Sequence, residues 1–374
     1  MALNVLIIPD KFKGTLTAPA AAEAIAAGWH KARPHDRLDL LPMSDGGDGF
    51  GETMSRLLGA RRHTIATQNA AHQPHRGQWW WAPHTRTAII ESAQIIGLAL
   101  LPPGRFHPFE LDTFGLGLAF RAAARKGAQR CLVGIGGSAT NDGGFGCARA
   151  LDWEFLDNAN QPIDRWIDLA ALAVARPPKP RRLFRELIVA VDVHNPLLGP
   201  RGATRVYGPQ KGLKPADFPL AERCLDRLKT VAARQFGRNV AGEPGTGAAG
   251  GLGFGLRCFL GARLRPGFEL FARFAELPKR LRSIHLVITG EGAIDRSTLM
   301  GKGVGEIART CRNAAIPCIG LTGMLRNRIA VQPRFEEVHA LAPDLTSPEQ
   351  AKAQPAFWLT QLAQTVAAHY IEHR

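Results

Sequence analysis

Paired cysteines are missing from this chain. Its six (Cys131, Cys147, Cys224, Cys258, Cys311 and Cys318) form no C-x-x-C and sit inside mostly apolar segments. That argues against a zinc site and for buried, reduced thiols in a cytoplasmic protein. Long apolar runs are missing too. The N-terminus offers only Val5 to Ile8 before Pro9-Asp10-Lys11, too little for a signal peptide, and Ala88–Leu101 is broken by Glu91 and stopped by Pro102-Pro103. Acidic residues are few: 32 Asp and Glu against 47 Lys and Arg leave a net charge of +15. The basic residues are scattered, and their densest run, Arg176 to Arg185, is Pro-rich and reads as a solvated connection. Charge by itself does not separate nucleic acid, acidic lipid and small anionic substrates. A Walker A loop is absent, since Gly301-Lys302 is followed by Gly303 and not by Ser or Thr, and so is a protein-kinase signature set.

What remains is a chain of 374 residues, 45% hydrophobic and 21% charged, too long for one ordinary core and globular in composition. Its most telling stretch is 131–151, CLVGIGGSATNDGGFGCARAL. The apolar Cys131-Leu132-Val133 ends a buried strand, Gly134 to Gly144 is a turn almost free of bulky side chains, and a helix can start near Phe145. Such a turn brings backbone N–H groups and a helix dipole up to an anion. The competing reading is a tight turn packed on its neighbours. Gly134-x-Gly136-x-x-Ala139 also fits the dinucleotide fingerprint. Against that, Asn141-Asp142-Gly143-Gly144 delays the helix, and Leu151–Leu156, which carries the following acids, shows no convincing strand.

In chain order, Asn4–Ile8 predicts a parallel strand, and Thr17 caps a helix over Ala20–Lys31 with Pro19 near its first turn. The intervening loop places Asp10, Lys11 and Lys13 where open α/β sheets bind ligands. A second strand, Arg37–Leu41, leads into Pro42-Met43-Ser44-Asp45-Gly46-Gly47-Asp48-Gly49 and a helix to about Leu58. His63–Thr67, Gly77–Trp81 and Thr85–Ile90 predict antiparallel strands, and Trp79-Trp80-Trp81 reads better as an edge strand with alternate rings buried than as a stacking platform. Arg185–Val191 is β-rich and ends in Asp192-Val193-His194-Asn195. Gly245–Gly255 is a third Gly-rich segment. From Ile284 the pattern returns to parallel βα units, with strands at Ile284–Thr289, Cys318–Leu321 and Val338–Leu341 and a last helix near Pro355–Tyr370. The fold class this predicts is α/β in two domains. A discontinuous Rossmann-like parallel domain comes from 1–60 and 283–374, and 61–282 is an inserted α/β domain of mixed sheet, with the loops collected in a cleft between them.

Three Gly-rich turns, lysines at 11, 13, 211 and 302, and turn carboxylates at 10, 45, 192, 291 and 295 are the parts phosphoryl transfer needs. Together the motifs resemble the bacterial type 1 glycerate kinases along essentially the whole chain. The blocks that carry the resemblance are Pro9-Asp-Lys-Phe-Lys-Gly-Thr-Leu-Thr17, Leu41-Pro-Met-Ser-Asp-Gly-Gly-Asp-Gly49, Gly134–Gly144, Val189-Ala-Val-Asp-Val-His-Asn-Pro-Leu197, Gly208-Pro-Gln-Lys-Gly212, Gly247–Gly255 and Ile288–Asp295, the last continued by Thr298 and Gly301-Lys302. The resemblance implies a two-domain kinase that phosphorylates D-glycerate from ATP with Mg²⁺, at the 2-hydroxyl. A kinase for another small hydroxy acid is the near alternative, and a nicotinamide-dependent oxidoreductase using the Gly134 loop the distant one. Lys11, His107, Leu118, Ser297 and Gly303 depart from the usual family residues, which bears on acceptor specificity.

From residue type and motif position, Lys13 is expected to neutralise phosphate or carboxylate, and Asp192 to orient or deprotonate the acceptor hydroxyl. Asp45 and Asp295 are the candidate Mg²⁺ ligands, with turn capping as their alternative. Gly136, Gly137 and Ser138 should line a phosphate or carboxylate site. Asp10, Asn195, Lys211, Glu291 and Lys302 complete the expected binding set. The expected partners are small molecules, with no nucleic acid and no membrane, and a homodimer is allowed.

Overall fold

A computed structural model describes residues 2–179, 182–296, 298 and 303–370. Lys302 and Ser297 therefore lie outside the described residues. The strands are β1 (Asn4–Ile7), β2 (Arg37–Leu40), β3 (Arg61–Gln68), β4 (Pro74–Ala82), β5 (Thr87–Glu91), β6 (Arg130–Gly134), β7 (Glu154–Asp157), β8 (Leu172–Arg176), β9 (Glu186–Ala190), β10 (Arg263–Arg265), β11 (Leu286–Ile294), β12 (Cys318–Leu325) and β13 (Glu337–Ala342). The chain divides into two compact units, Met1–Asp45 with Phe268–Arg374, and Gly46–Gly267. These divisions fall at 45/46 and 267/268, where the sequence pattern puts them at 60/61 and 282/283. The reason at the first is a ring. A Cβ on Gly51 would lie 1.9 Å from the Trp80 indole, so the helix Phe50–Leu58 sits directly on β4 of the second unit.

The first unit holds a parallel sheet in the order β13-β12-β11-β1-β2. Val5 to Ile8 and Leu286 to Ile288 are fully buried, as expected for strands covered on both faces. The helix Ala18–Ala32, capped by Thr17 Oγ1 accepting from the Ala20 amide at 3.3 Å, packs along the helix Pro355–His369. Counted within the unit, the strand order is 2-1-3-4-5, a doubly wound arrangement whose order reverses between β1 and β11. Ligands of such sheets bind beyond the strand C-termini at that reversal.

The second unit holds a mixed sheet, β10-β9-β6-β5-β4-β3, parallel from β10 to β5 and antiparallel from β5 to β3. The tryptophan strand is not an edge. β4 lies between β3 and β5, Trp79 enters the core cluster with Trp81 packed against it, and Trp80 meets the helix Phe50–Leu58 on the other face. All three rings have covering layers because the sheet is packed on both sides here. The segment after the Gly134 loop does contain a strand, β7, but it pairs antiparallel with β8 in a separate two-stranded sheet. It cannot serve as the second parallel strand of a dinucleotide site. Among the described residues no helix is long and apolar enough to cross a membrane.

Candidate active site

In the first unit three carboxylates come together at the reversal of the sheet. Beyond β1 the Asp10 amide donates to Gly290 O at 2.8 Å, which holds Asp10 beside the middle of β11, next to Glu291. Beyond β2 the Met43 amide donates to Pro9 O at 3.0 Å and leads to Asp45. Asp10 Oδ1 accepts from the Lys11 amide at 2.7 Å, and Lys11 Nζ stands 3.9 Å from Asp45 Oδ1. Burial, then the Asp45 charge, and more weakly Glu291, push the Asp10 carboxyl up to about 7. Thr298 Oγ1 donates to Glu291 Oε1 at 2.7 Å and accepts from the Asp295 amide at 3.2 Å, tying Asp295 to the same end of the sheet. Lys13 is exposed, and its amide lies over Gly292, where a Cβ would approach within 3.1 Å.

These oxygens suit Mg²⁺ chemically. Among the described residues no three His, Cys, Asp or Glu side chains form a ready metal cluster. Mg²⁺ held by one or two carboxylates and substrate phosphates needs none. Asp45 and Asp295 remain the chain's own candidates for that contact.

In the second unit the Gly-rich loops meet one another. The Gly136 amide donates to Gly46 O at 3.3 Å, and a Cβ on Gly136 would lie 2.6 Å from Gly47 Cα. The Gly143 amide donates to Gly250 O at 3.1 Å, and Gly255 Cα lies 2.9 Å from where a Cβ on Gly144 would sit. Much of the glycine content thus serves loop-on-loop packing. The helix after the loop, Phe145–Arg149, has five residues, and its first amides are taken internally. Asp142 accepts from the Gly144 amide at 3.2 Å, the Gly146 amide at 2.9 Å and, on the same oxygen as Gly146, the amide and hydroxyl of Thr113 at 3.0 and 2.7 Å. The anion at this helix start is the chain's own carboxylate. Gly137 stays exposed and Gly136 half-buried, whereas Ser138 is buried.

Lys211 reaches that buried serine. Its Nζ donates to Thr140 O at 2.6 Å and Ser138 Oγ at 3.3 Å, and burial pushes its pKa down to about 7, against the opposing pull of Asp142. An unfolded lysine keeps its proton to about pH 10.4, so wild-type stability should climb between pH 7 and 10, by at most about 1.4 kcal/mol per pH unit from this group. Lys211→Met should remove that part of the slope in melts run at pH 7 and 9.5. Parallel curves for the two proteins would contradict the buried titration.

Asn195 is used as a turn. Its Oδ1 accepts from Tyr207 Oη at 2.7 Å and its Nδ2 donates to Arg201 O at 2.7 Å. Asp192 follows β9, and its Oδ1 accepts from the Gly267 amide at 2.9 Å, at the start of the helix Gly267–Phe274. Two further acids stand close by: Asp112, which with Thr113 reads in sequence as the cap of a helix running to Lys126 and does precede the helix Phe114–Arg125, and Glu91, the last residue of β5. Asp112 is buried, accepts from the Phe114 amide at 2.8 Å, and is pushed up to about 7 by burial and then Asp142. Glu91 registers in sequence only as an interruption of an apolar run, yet a lone acid ending a buried strand is itself a signal.

A doubly wound sheet with carboxylates and a lysine at its order reversal marks an α/β enzyme for small anionic ligands. A profile of the glycerate kinase family matches residues 5–371. The glycerate kinase of Halalkalibacterium halodurans is 34% identical over 370 residues, covering 97% of each chain. The glycerate 2-kinase of Escherichia coli K12 is 34% identical over 339 residues, covering 88% of this chain and 87% of that one. The crystal structure of a proposed glycerate kinase 2 from Salmonella typhimurium LT2 superposes with a TM-score of 0.85 at 32% identity, covering 98% of both chains. The chain belongs to the glycerate kinase family, and it is an enzyme of the phosphotransferase class.

Proposed function

We propose that this protein transfers the γ-phosphoryl group of ATP to D-glycerate with Mg²⁺, at the 2-hydroxyl, giving 2-phosphoglycerate. The observation that carries the reading is the family match over 5–371, with relatives aligned along nearly their whole length. The name of the Escherichia coli relative supports the 2-hydroxyl. The carboxylates at the β1/β11 reversal support phosphate and metal chemistry there, since an in-line transfer needs anionic oxygens for Mg²⁺ and cations for phosphate.

Asp45 and Asp295 would hold Mg²⁺, with Asp10 and Glu291 as further carboxylates of the same unit. Lys13, exposed on its loop, reaches phosphate or carboxylate, the role that motif position also gives Lys302. Gly136 and Gly137 offer backbone to an anion, and Lys211 and Ser138 brace that loop from behind. Asp192 orients the acceptor hydroxyl, and Asn195 sets the turn that follows it. Mg²⁺ held by Asp45 and Asp295 would supply charge neutralisation for the transferring phosphate. Six free, buried cysteines support a cytoplasmic location.

The deciding measurement is ³¹P NMR of the product formed from ATP and D-glycerate by the purified chain. The resonance of 2-phosphoglycerate is expected. A 3-phosphoglycerate signal would overturn the regiochemistry, and no new phosphomonoester would overturn the substrate.

A further inference from the structure

Glu91 ends β5 and is 1% exposed, yet its carboxylate is met by amide groups and not by a cation. Its partners are backbone amides from a distant part of the chain. Oε2 accepts from the Gly51 amide at 2.9 Å and Oε1 from the Gly49 amide at 3.2 Å, while Gln94 Nε2 donates to Oε1 at 3.2 Å. Gly49 and Gly51 open the helix Phe50–Leu58, whose N-cap residue, Gly49, has no side chain to cap it. A strand forty residues on thus supplies the carboxylate that Ser, Thr, Asp or Asn would supply locally.

The loop held this way is one of those the site is built from. Gly46 O accepts from the Gly136 amide at 3.3 Å, and a Cβ on Gly137 would lie 2.7 Å from Asp48 Oδ1. A carboxylate fixing amides 49 and 51 therefore limits how far the backbone from Gly46 onward can move. We propose that Glu91 is a positioning residue for phosphoryl transfer, holding the Gly46–Gly49 loop, and with it the Gly136–Gly137 turn packed on that loop, in its working arrangement. The proposal rests on the kinase reading above. A role in stability alone would predict melting changes without a kinetic signature.

The test uses the full chain with Glu91→Gln and Glu91→Asp. Gln has the same size but turns an NH₂ toward one glycine amide. Asp keeps the charge and shortens the reach by one methylene. Amide hydrogen exchange of the segment 46–54 and steady-state kcat and KM for ATP and D-glycerate are measured on each. Glu91→Gln should speed exchange in 46–54 about 10-fold and lower kcat about 10- to 100-fold, with the KM values changed by less than about 3-fold. Glu91→Asp should recover part of both. Faster exchange with unchanged kcat would overturn positioning and leave a cap, and unchanged exchange would overturn the holding role. If Glu91→Gln does not fold, Gln94→Leu frees one carboxylate oxygen from its orienting partner and should move both readouts the same way by less. A wild-type chain that turns over no D-glycerate overturns the function instead, and the exchange data still judge the loop.

Discussion

Asp192→Asn is expected to lower kcat by about 10²- to 10⁴-fold, the range a positioned base contributes, while the protein melts within about 2 °C of wild type. The structure makes this substitution decisive because Asp192 has a second occupation. Its Oδ1 accepts from the Gly267 amide at 2.9 Å. An asparagine keeps an oxygen acceptor of the same reach, so the helix start stays capped while the charge is lost. Asp192→Ala removes both and should in addition cost about 1 kcal/mol of stability. Steady-state kinetics and thermal melts on the pair separate the roles. Near-normal turnover in Asp192→Asn would reduce this residue to a cap, and the acceptor's base would have to be sought among the carboxylates of the first unit.

Gly250→Ala should be among the most destabilising single methyl additions in the chain, by about 3 kcal/mol or more. Gly250 has φ +69°, and a Cβ there would lie 1.9 Å from Thr140 O and 2.7 Å from Asn141 Cα. Left-handed backbone alone would not be prohibitive. Ala249, next to it, carries a side chain at φ 55°. The obstacle is that the opposing atoms are backbone, so relief requires pulling two loops apart and losing the Gly143 amide to Gly250 O bond. Gly242→Ala, where nothing stands within 4 Å of the new Cβ and the backbone is not left-handed, is the open-space control and should melt like wild type. Equal melting of Gly250→Ala and Gly242→Ala would refute the packing account of the Gly-rich loops.

That account also marks where the sequence could be read and where it could not. The doubly wound unit was legible. Asn4–Ile8 and Ile284–Thr289 read as buried strands, and their apolar residues Val5–Ile8 and Leu286–Ile288 are covered on both faces, as such runs require. The carboxylates at 10 and 45 were legible as loop acids, whereas Glu291, expected in a turn after Thr289, lies within β11, which runs on to Ile294; the topology of β1, β2 and β11 then brought the three together. The stretch 131–151 was legible as strand, Gly-rich turn and helix start, but not in its use. Glycine is required wherever atoms approach a backbone closely, whether they belong to a phosphate or to Gly46, Gly47, Gly250 and Gly255. Nor does spacing reveal that Asp142 would occupy the helix start itself, with Thr113 from another segment as a partner.

Local sequence determined what depends on neighbours along the chain: the strand and helix periods, the turn positions, the Thr17 cap, and an order of motifs specific enough to mark the family. Tertiary structure alone decided which loop meets which, that Trp80 carries the helix Phe50–Leu58, and that Glu91 caps it from forty residues away. The division is physical. Dihedral preferences and side-chain period act over a few residues, whereas hydrogen-bond partners and close backbone approaches are assigned by sheet order, which joins segments that no local rule relates.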